Sequence, residues 1–207
     1  IRANLAQCTD VGAQQAITYA KVNLGFALLH LRGKTVEARR LLDQAMTECR
    51  AVGNARLEGW AAAHASTVAM GAGVADDPSS PREALRLAEE AVRLLSSAPS
   101  LLGWAEACRS RALLACGDAD GALSAAQRAH GILQELGGML QGEALPPLVL
   151  SEALEAKGRR AEAVTAILDA SARLERRVSR LAKAEWRDLF RAIPDNARTL
   201  KLAATLR

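Results

Sequence analysis

The chain has 207 residues, a formal net charge of +4, 50% hydrophobic residues and only 3% aromatic residues. This composition fits one or two globular domains whose core relies on Ala and Leu. No apolar run approaches the roughly 18 residues of a membrane span, and no charged-then-apolar signal segment is present, so we expect a soluble, cytoplasmic protein.

The dominant feature of the sequence is an internal repeat of predicted helix pairs. In each unit a small residue on the first helix is followed, after a turn, by an apolar triplet with spacing 0, +4, +7. The small residues are Gly25, Ser66, Ser110 and Ser151. The triplets are Ala38/Leu42/Ala45, Ala84/Ala88/Ala91, Ala122/Ala126/Ala129 and Ala163/Ile167/Ala170. The unit recurs every 41 to 44 residues, which predicts an all-α array of antiparallel helix pairs.

The repeat divides the chain into six segments. Residues 1–11 are interpreted as the tail of a preceding repeat, and the absence of an initial Met indicates a piece of a longer protein. The predicted repeats span 12–53, 54–99, 100–138 and 139–181, and residues 184–207 form a predicted capping helix pair. Turn glycines such as Gly117 and Gly158 suit a left-handed position after a helix. Pro146 and Pro147 predict a late start or a kink in the fourth unit's first helix.

Several phrases resemble the tetratricopeptide repeat family. Leu24-Gly25 with Leu28 fits its L-G-x2-Y core with Leu at the Tyr position, and Gly59-Trp60-Ala61 is echoed by Gly103-Trp104-Ala105. The longer period is similar to that of arrays in bacterial maltose-regulator-type activators, signalling ATPases and large Ser/Thr kinases. The resemblance implies a right-handed superhelix that binds a protein or peptide segment in a concave groove lined by the first helix of each unit.

The resemblance also implies which side chains line that groove. These candidates are Tyr19, Val22, Phe26, Trp60, Thr67, Met70, Trp104, Arg111, Leu114, Leu148 and Glu152. Trp60 and Trp104 suit partner anchoring but fit packing between repeats better. Arg111 and Glu152 suit recognition, because inward polar side chains add little to packing, or they pair with each other across adjacent helices. The apolar lining favours an amphipathic helix or an extended hydrophobic segment, and filling by the chain itself is an alternative.

Motifs for catalysis, cofactors or metals are missing from the sequence, so we expect the chain not to be an enzyme. Gly33-Lys34-Thr35 lacks the first glycine of a phosphate-binding loop, because Leu28 stands there. The three histidines, His30, His64 and His130, are scattered. The four cysteines, Cys8, Cys49, Cys108 and Cys116, lack CxxC spacing and are predicted to be reduced, with Cys8 and Cys49 as small buried residues.

Positive charge is concentrated near the C-terminus, where residues 157–207 carry 13 basic and 6 acidic side chains. Arg173, Arg176, Arg177 and Arg180 follow the spacing 0, +3, +4, +7 and are predicted to share one helix face. Such a stripe can bind phosphates or an acidic partner, but a solvated face is favoured because aromatic stacking residues are scarce.

Three functions therefore stay open at this point. The first is a protein-binding scaffold or sensor arm of a larger bacterial signalling protein. The second is an intramolecular arm that holds an upstream ATPase or kinase domain of the same chain inactive until an inducer binds. The third, which the sequence disfavours, is contact with nucleic acid or an acidic partner through the arginine stripe.

Overall fold

The computed structural model describes residues 2, 3, 6, 13–29, 34–71, 80–139 and 142–205. Ten helices and no strands are assigned within these ranges, which confirms the all-α prediction. The helices are α1 (Gln14–Leu29), α2 (Thr35–Ala51), α3 (Ala55–Ala69), α4 (Pro81–Leu94), α5 (Pro99–Ala115), α6 (Ala119–Glu135), α7 (Leu145–Ala156), α8 (Arg160–Val178), α9 (Ala184–Ala192) and α10 (Pro194–Thr205). Cys8, His30, Gly33 and most of the predicted tail 1–11 lie outside the described residues.

Helices from α1 to α8 pack in chain order, each against the next. The first helices of the pairs, α1, α3, α5 and α7, also contact one another in succession. Within the described part of the chain, the second helices α2, α4, α6 and α8 make no comparable contacts with one another. The first helices therefore form a closely packed layer, which we call the first-helix layer.

The repeated small residues lie where the two helices of a pair cross. Each of the three serines is 1% exposed, and its hydroxyl donates to the carbonyl of the first alanine of the following triplet. These bonds join Ser66 to Ala84 (2.8 Å), Ser110 to Ala122 (2.8 Å) and Ser151 to Ala163 (3.0 Å). At Gly25 an added Cβ would lie 2.9 Å from Leu42 Cγ. The small residues thus allow close crossing, and the hydroxyls find a partner inside the core.

Two predictions about helix ends can be compared with the structure. Gly117 and Gly158 have φ of +87° and +72°, the left-handed conformation expected after a helix. Helix α7 begins at Leu145, so Pro146 and Pro147 lie in its first turn, where a missing N–H breaks no helical hydrogen bond. The predicted late start of this helix is therefore observed.

Helices α9 and α10 form a short terminal unit that we call the C-terminal hairpin. Helix α10 contacts α7, α8 and α9, and Ala203 packs with Leu148, Ile167 and Ala170 at the end of the last pair. None of the residues of α9 is buried, and Trp186 is 48% exposed. The hairpin thus covers the last pair through α10 while α9 lies mostly in solvent.

Candidate functional site

A row of half-buried side chains runs across the first-helix layer. Phe26, Thr67, Arg111 and Glu152 come from α1, α3, α5 and α7, and each directly follows the small residue of its unit. One step along a helix turns the side chain by about 100°, so these residues point away from the crossing that the small residue makes. Together with Met70, which directly follows α3, and Leu114 on α5, they define the groove.

The C-terminal hairpin occupies part of this groove. Arg111 Nη2 donates to Asp195 Oδ1 at 2.7 Å, and each side chain of this pair is 22% exposed. Arg198 Nε donates to Glu152 Oε1 one turn further along α10. Arg111 and Glu152 bind opposite charges on one helix of the same chain and not each other. Their predicted role in recognising a partner stays a prediction.

The Asp195 carboxylate stabilises the positive charge of Arg111. Burial lowers the pKa of the Arg111 guanidinium, but the charge and hydrogen bond of Asp195, with the Glu152 charge further off, outweigh that effect and raise it. A half-buried cation of this kind needs a carboxylate partner, because an unpaired charge loses its hydration without compensation. Any ligand that replaces α10 must therefore supply an acidic group at this point.

Two predicted groove residues are not accessible. Val22 is 1% exposed and Leu148 is 0% exposed, and both belong to core clusters between helices. They precede the small residue by three positions and so share its inward face on the helix. Tyr19, in contrast, is 55% exposed at the start of α1 and lies outside the core.

The predicted tryptophans pack around a histidine that the sequence reasoning missed. The His64 ring is 2% exposed and lies 4.5 Å from the Phe26 ring, 5.6 Å from Trp60 and 5.9 Å from Trp104, measured between centroids. The cluster joins α1, α3 and α5, so both tryptophans contribute to packing between repeats. The sequence signal for this contact is the spacing of four residues between Trp60 and His64, which places both side chains on one face of α3.

Beside α10 the groove widens into an open cleft of about 670 Å³. Met70 and Leu114 line its apolar side, and Arg111, Glu152 and Leu202 line the side next to α10. A smaller cavity of about 220 Å³ lies between the groove helices and the hairpin. The hairpin therefore fills only part of the available surface.

The cysteine environment favours packing over chemistry. Burial raises the pKa of Cys108 to about 12 and that of Cys49 to about 11. Both thiols stay protonated at neutral pH and are poor nucleophiles. Cys116 is exposed just after α5. Within the described ranges, no group of three or more His, Cys, Asp or Glu side chains is arranged to hold a metal ion.

The arginine stripe is shorter on its helix than predicted. Helix α8 ends at Val178, so Arg180 lies in the following turn, while Arg173, Arg176 and Arg177 remain on the helix. Arg173 pairs with Asp169 at 2.8 Å and Arg177 with Glu143 at 3.0 Å. All four arginines line one surface hollow next to residues 136–139. Carboxylates thus offset part of the positive charge that a phosphate would need.

Comparisons with known proteins find no family model and no curated protein that matches this chain. Among the helices of the described ranges, none combines the length and apolar character needed to cross a membrane. The geometry of the groove is therefore the main guide to function.

Proposed function

We propose that the chain is a tetratricopeptide-type solenoid that binds a helical segment of another protein in the groove. The recurring serine-to-carbonyl bonds and the contacts among α1, α3, α5 and α7 support the solenoid. In such an array each unit needs only its neighbours, which leaves one face of the first helices available for a ligand.

The observation that carries this proposal is that the groove already holds a helix. Arg111 and Glu152 pair with charges on α10, and Leu202 of α10 lies at the edge of the apolar cleft. A surface that accepts an amphipathic helix from its own chain has the polar and apolar groups needed for a helix of a partner. Leu114 and Met70 line the remaining cleft and give a partner further apolar contacts.

Site-specific photo-crosslinking in the source cells tests this function. A photoreactive phenylalanine analogue replaces Leu114 in the groove, and the matched control carries it at Gln127, which is exposed on α6. We expect a discrete protein adduct from position 114 and none of that mass from position 127. Equal adducts from both positions, or none from either, would contradict the proposal.

A further inference from the structure

The hairpin meets the groove with an ordered pair of opposite charges. Asp195 and Arg198 are three residues apart and therefore lie on one face of α10. They contact Arg111 on α5 and Glu152 on α7, respectively. Two oppositely ordered pairs fix both the direction and the register of the bound helix, because reversing the helix would place like charges together.

The apolar part of α10 continues the same pattern. Leu202 borders the open cleft, and Ala203 is 2% exposed against Leu148 and Ile167. If α10 leaves, the core side chains of Leu148 and Ile167 become exposed to solvent. A helix that replaces α10 must therefore carry apolar residues seven and eight positions after its acidic residue, the second of them small.

Few other contacts hold the hairpin in place. Helix α9 buries none of its residues, and α10 buries only Asn196, Thr199 and Ala203. The ion pair that joins α9 to α8, Arg191 with Glu175, is 39% and 45% exposed, so water and salt weaken it. The eight preceding helices pack among themselves. The hairpin can leave without separating any of those pairs.

An internal ligand has the advantage of proximity. A segment tethered by a short linker acts at an effective concentration on the order of millimolar. A separate partner must overcome this with contacts that α10 does not make. The cleft of about 670 Å³ lined by Met70 and Leu114 provides the surface for such contacts.

We propose that α10 is an internal substitute for the partner, and that the partner is an amphipathic helix. This helix carries an acidic residue, a basic residue three positions after it, and apolar residues seven and eight positions after it. This proposal rests on the proposed function and adds the chemistry of the partner. Binding exchanges the hairpin for the partner helix, so in the free protein α10 covers the part of the groove around Arg111 and Glu152.

The test uses the full chain and, as the probe, a fluorescein-labelled peptide of residues 184–205. The double variant Asp195→Arg/Arg198→Glu loses the internal contacts, and we expect it to bind the peptide at least tenfold more tightly than the wild-type chain. The matched control Glu185→Arg/Lys201→Glu reverses one charge of each sign at exposed positions of the same hairpin and should bind like wild type.

Reversing the charges of Arg111 and Glu152 in the groove as well tests whether the order of the charges matters. The quadruple variant that adds Arg111→Glu/Glu152→Arg restores internal pairs of opposite polarity. A peptide that carries Asp195→Arg/Arg198→Glu should bind it at least tenfold more weakly than it binds Arg111→Glu/Glu152→Arg alone, in which the internal helix meets like charges. A double variant that keeps the wild-type circular dichroism and melting temperature but gains no affinity overturns the inference.

A second measurement avoids the question of folding in variants. In an isotope-labelled wild-type chain, excess unlabelled peptide should increase hydrogen exchange of residues 194–205 at least threefold and leave α4 and α6 unchanged. Unchanged exchange in α10 at saturating peptide overturns the inference. Groove crosslinks that persist in that case leave the proposed function standing, whereas missing crosslinks remove the function whatever the peptide does.

Discussion

The eight helices of the array and the two helices of the hairpin differ in how much apolar packing holds them. Within the array, alanines such as Ala88 and Ala126 are 0% exposed and pack directly against a neighbouring helix. The hairpin is held by the packing of Ala203 on the last pair and by ion pairs to the groove and to α8 that involve Asp195, Arg198 and Arg191. Moderate concentrations of sodium chloride change apolar packing little, whereas they screen partly exposed ion pairs.

Comparing α4 with α9 shows what this difference means. Both helices are amphipathic, but α4 buries Ala84, Leu87, Ala88 and Ala91 between its neighbours, while α9 buries none of its residues. An apolar stripe on a helix therefore does not by itself make the helix part of a core. Burial requires a neighbouring helix to pack against, and α9 meets α8 only at partly exposed side chains such as Arg191.

The largest effect is expected from overfilling the array. Ala126→Leu adds three carbon atoms at a fully buried crossing, and such overpacking costs about 1–3 kcal/mol of unfolding free energy. Chemical denaturation measures it. Gln127→Leu, at the exposed neighbouring position of α6, is the control and should change stability by less than about 0.5 kcal/mol. Equal effects of the two variants would mean that α6 does not pack as described.

A smaller effect is expected from local opening, which should be more frequent in the hairpin than in the array. Thr199 in α10 is 0% exposed and Cys108 in α5 is 4% exposed, so burial alone predicts similar protection. We expect a thiol introduced by Thr199→Cys to react with iodoacetamide roughly tenfold faster than Cys108, because the hairpin opens locally.

Each rate in this experiment is divided by the rate of the same thiol in the urea-unfolded chain, and exposed Cys116 serves as the internal reference for the reagent. Division by the unfolded rate removes differences in intrinsic reactivity. Equal protection of the thiol at position 199 and of Cys108 would show that the hairpin opens only when the array unfolds.

The smallest effect should come from an ion pair inside the array. Glu48 on α2 accepts hydrogen bonds from Lys21 and Thr18 of α1. Burial raises the pKa of Glu48, but these two partners outweigh it and bring it below 4.5. The stabilisation is therefore present above about pH 4.5 and is lost as pH falls through the lowered folded-state pKa.

Glu48→Gln should lower stability at pH 7 by only a few tenths of a kcal/mol, because the pair is partly exposed, and should flatten the loss of stability as pH falls below about 4.5. Denaturation at several pH values measures this. The control Glu185→Gln, exposed on α9, should leave the stability at pH 7 unchanged. A loss above 2 kcal/mol for Glu48→Gln would mean that ion pairs also hold the array.

The array was predictable because its signals are local. A small residue and an apolar triplet at helical spacing specify which faces cross, and the burial of Ser110 against the helix of Ala122 follows from that pattern. The hydrogen bond between them was not predicted. The groove was predictable only in part. Counting positions placed Arg111 and Glu152 on an accessible face, but it also selected Val22, whose side chain turns into the core.

The partner of Arg111 could not be predicted from the sequence. Asp195 is 84 residues away in the chain, and the sequence offers 23 acidic side chains to its 27 basic ones. Which carboxylate reaches the groove depends on the direction in which α10 returns after Pro194. That direction is set by the packing of Ala203 on the last pair, which is a tertiary contact without a local signature.

The distribution of the three tryptophans gives the chain a built-in optical label. Trp60 and Trp104 are half-buried in the aromatic cluster. Trp186 on α9 is 48% exposed, and the Lys183 ammonium lies 4.9 Å from its ring. The red-shifted part of the emission, which a soluble quencher reaches first, therefore belongs to the hairpin. Movements of the hairpin can be followed by fluorescence in the unmodified protein.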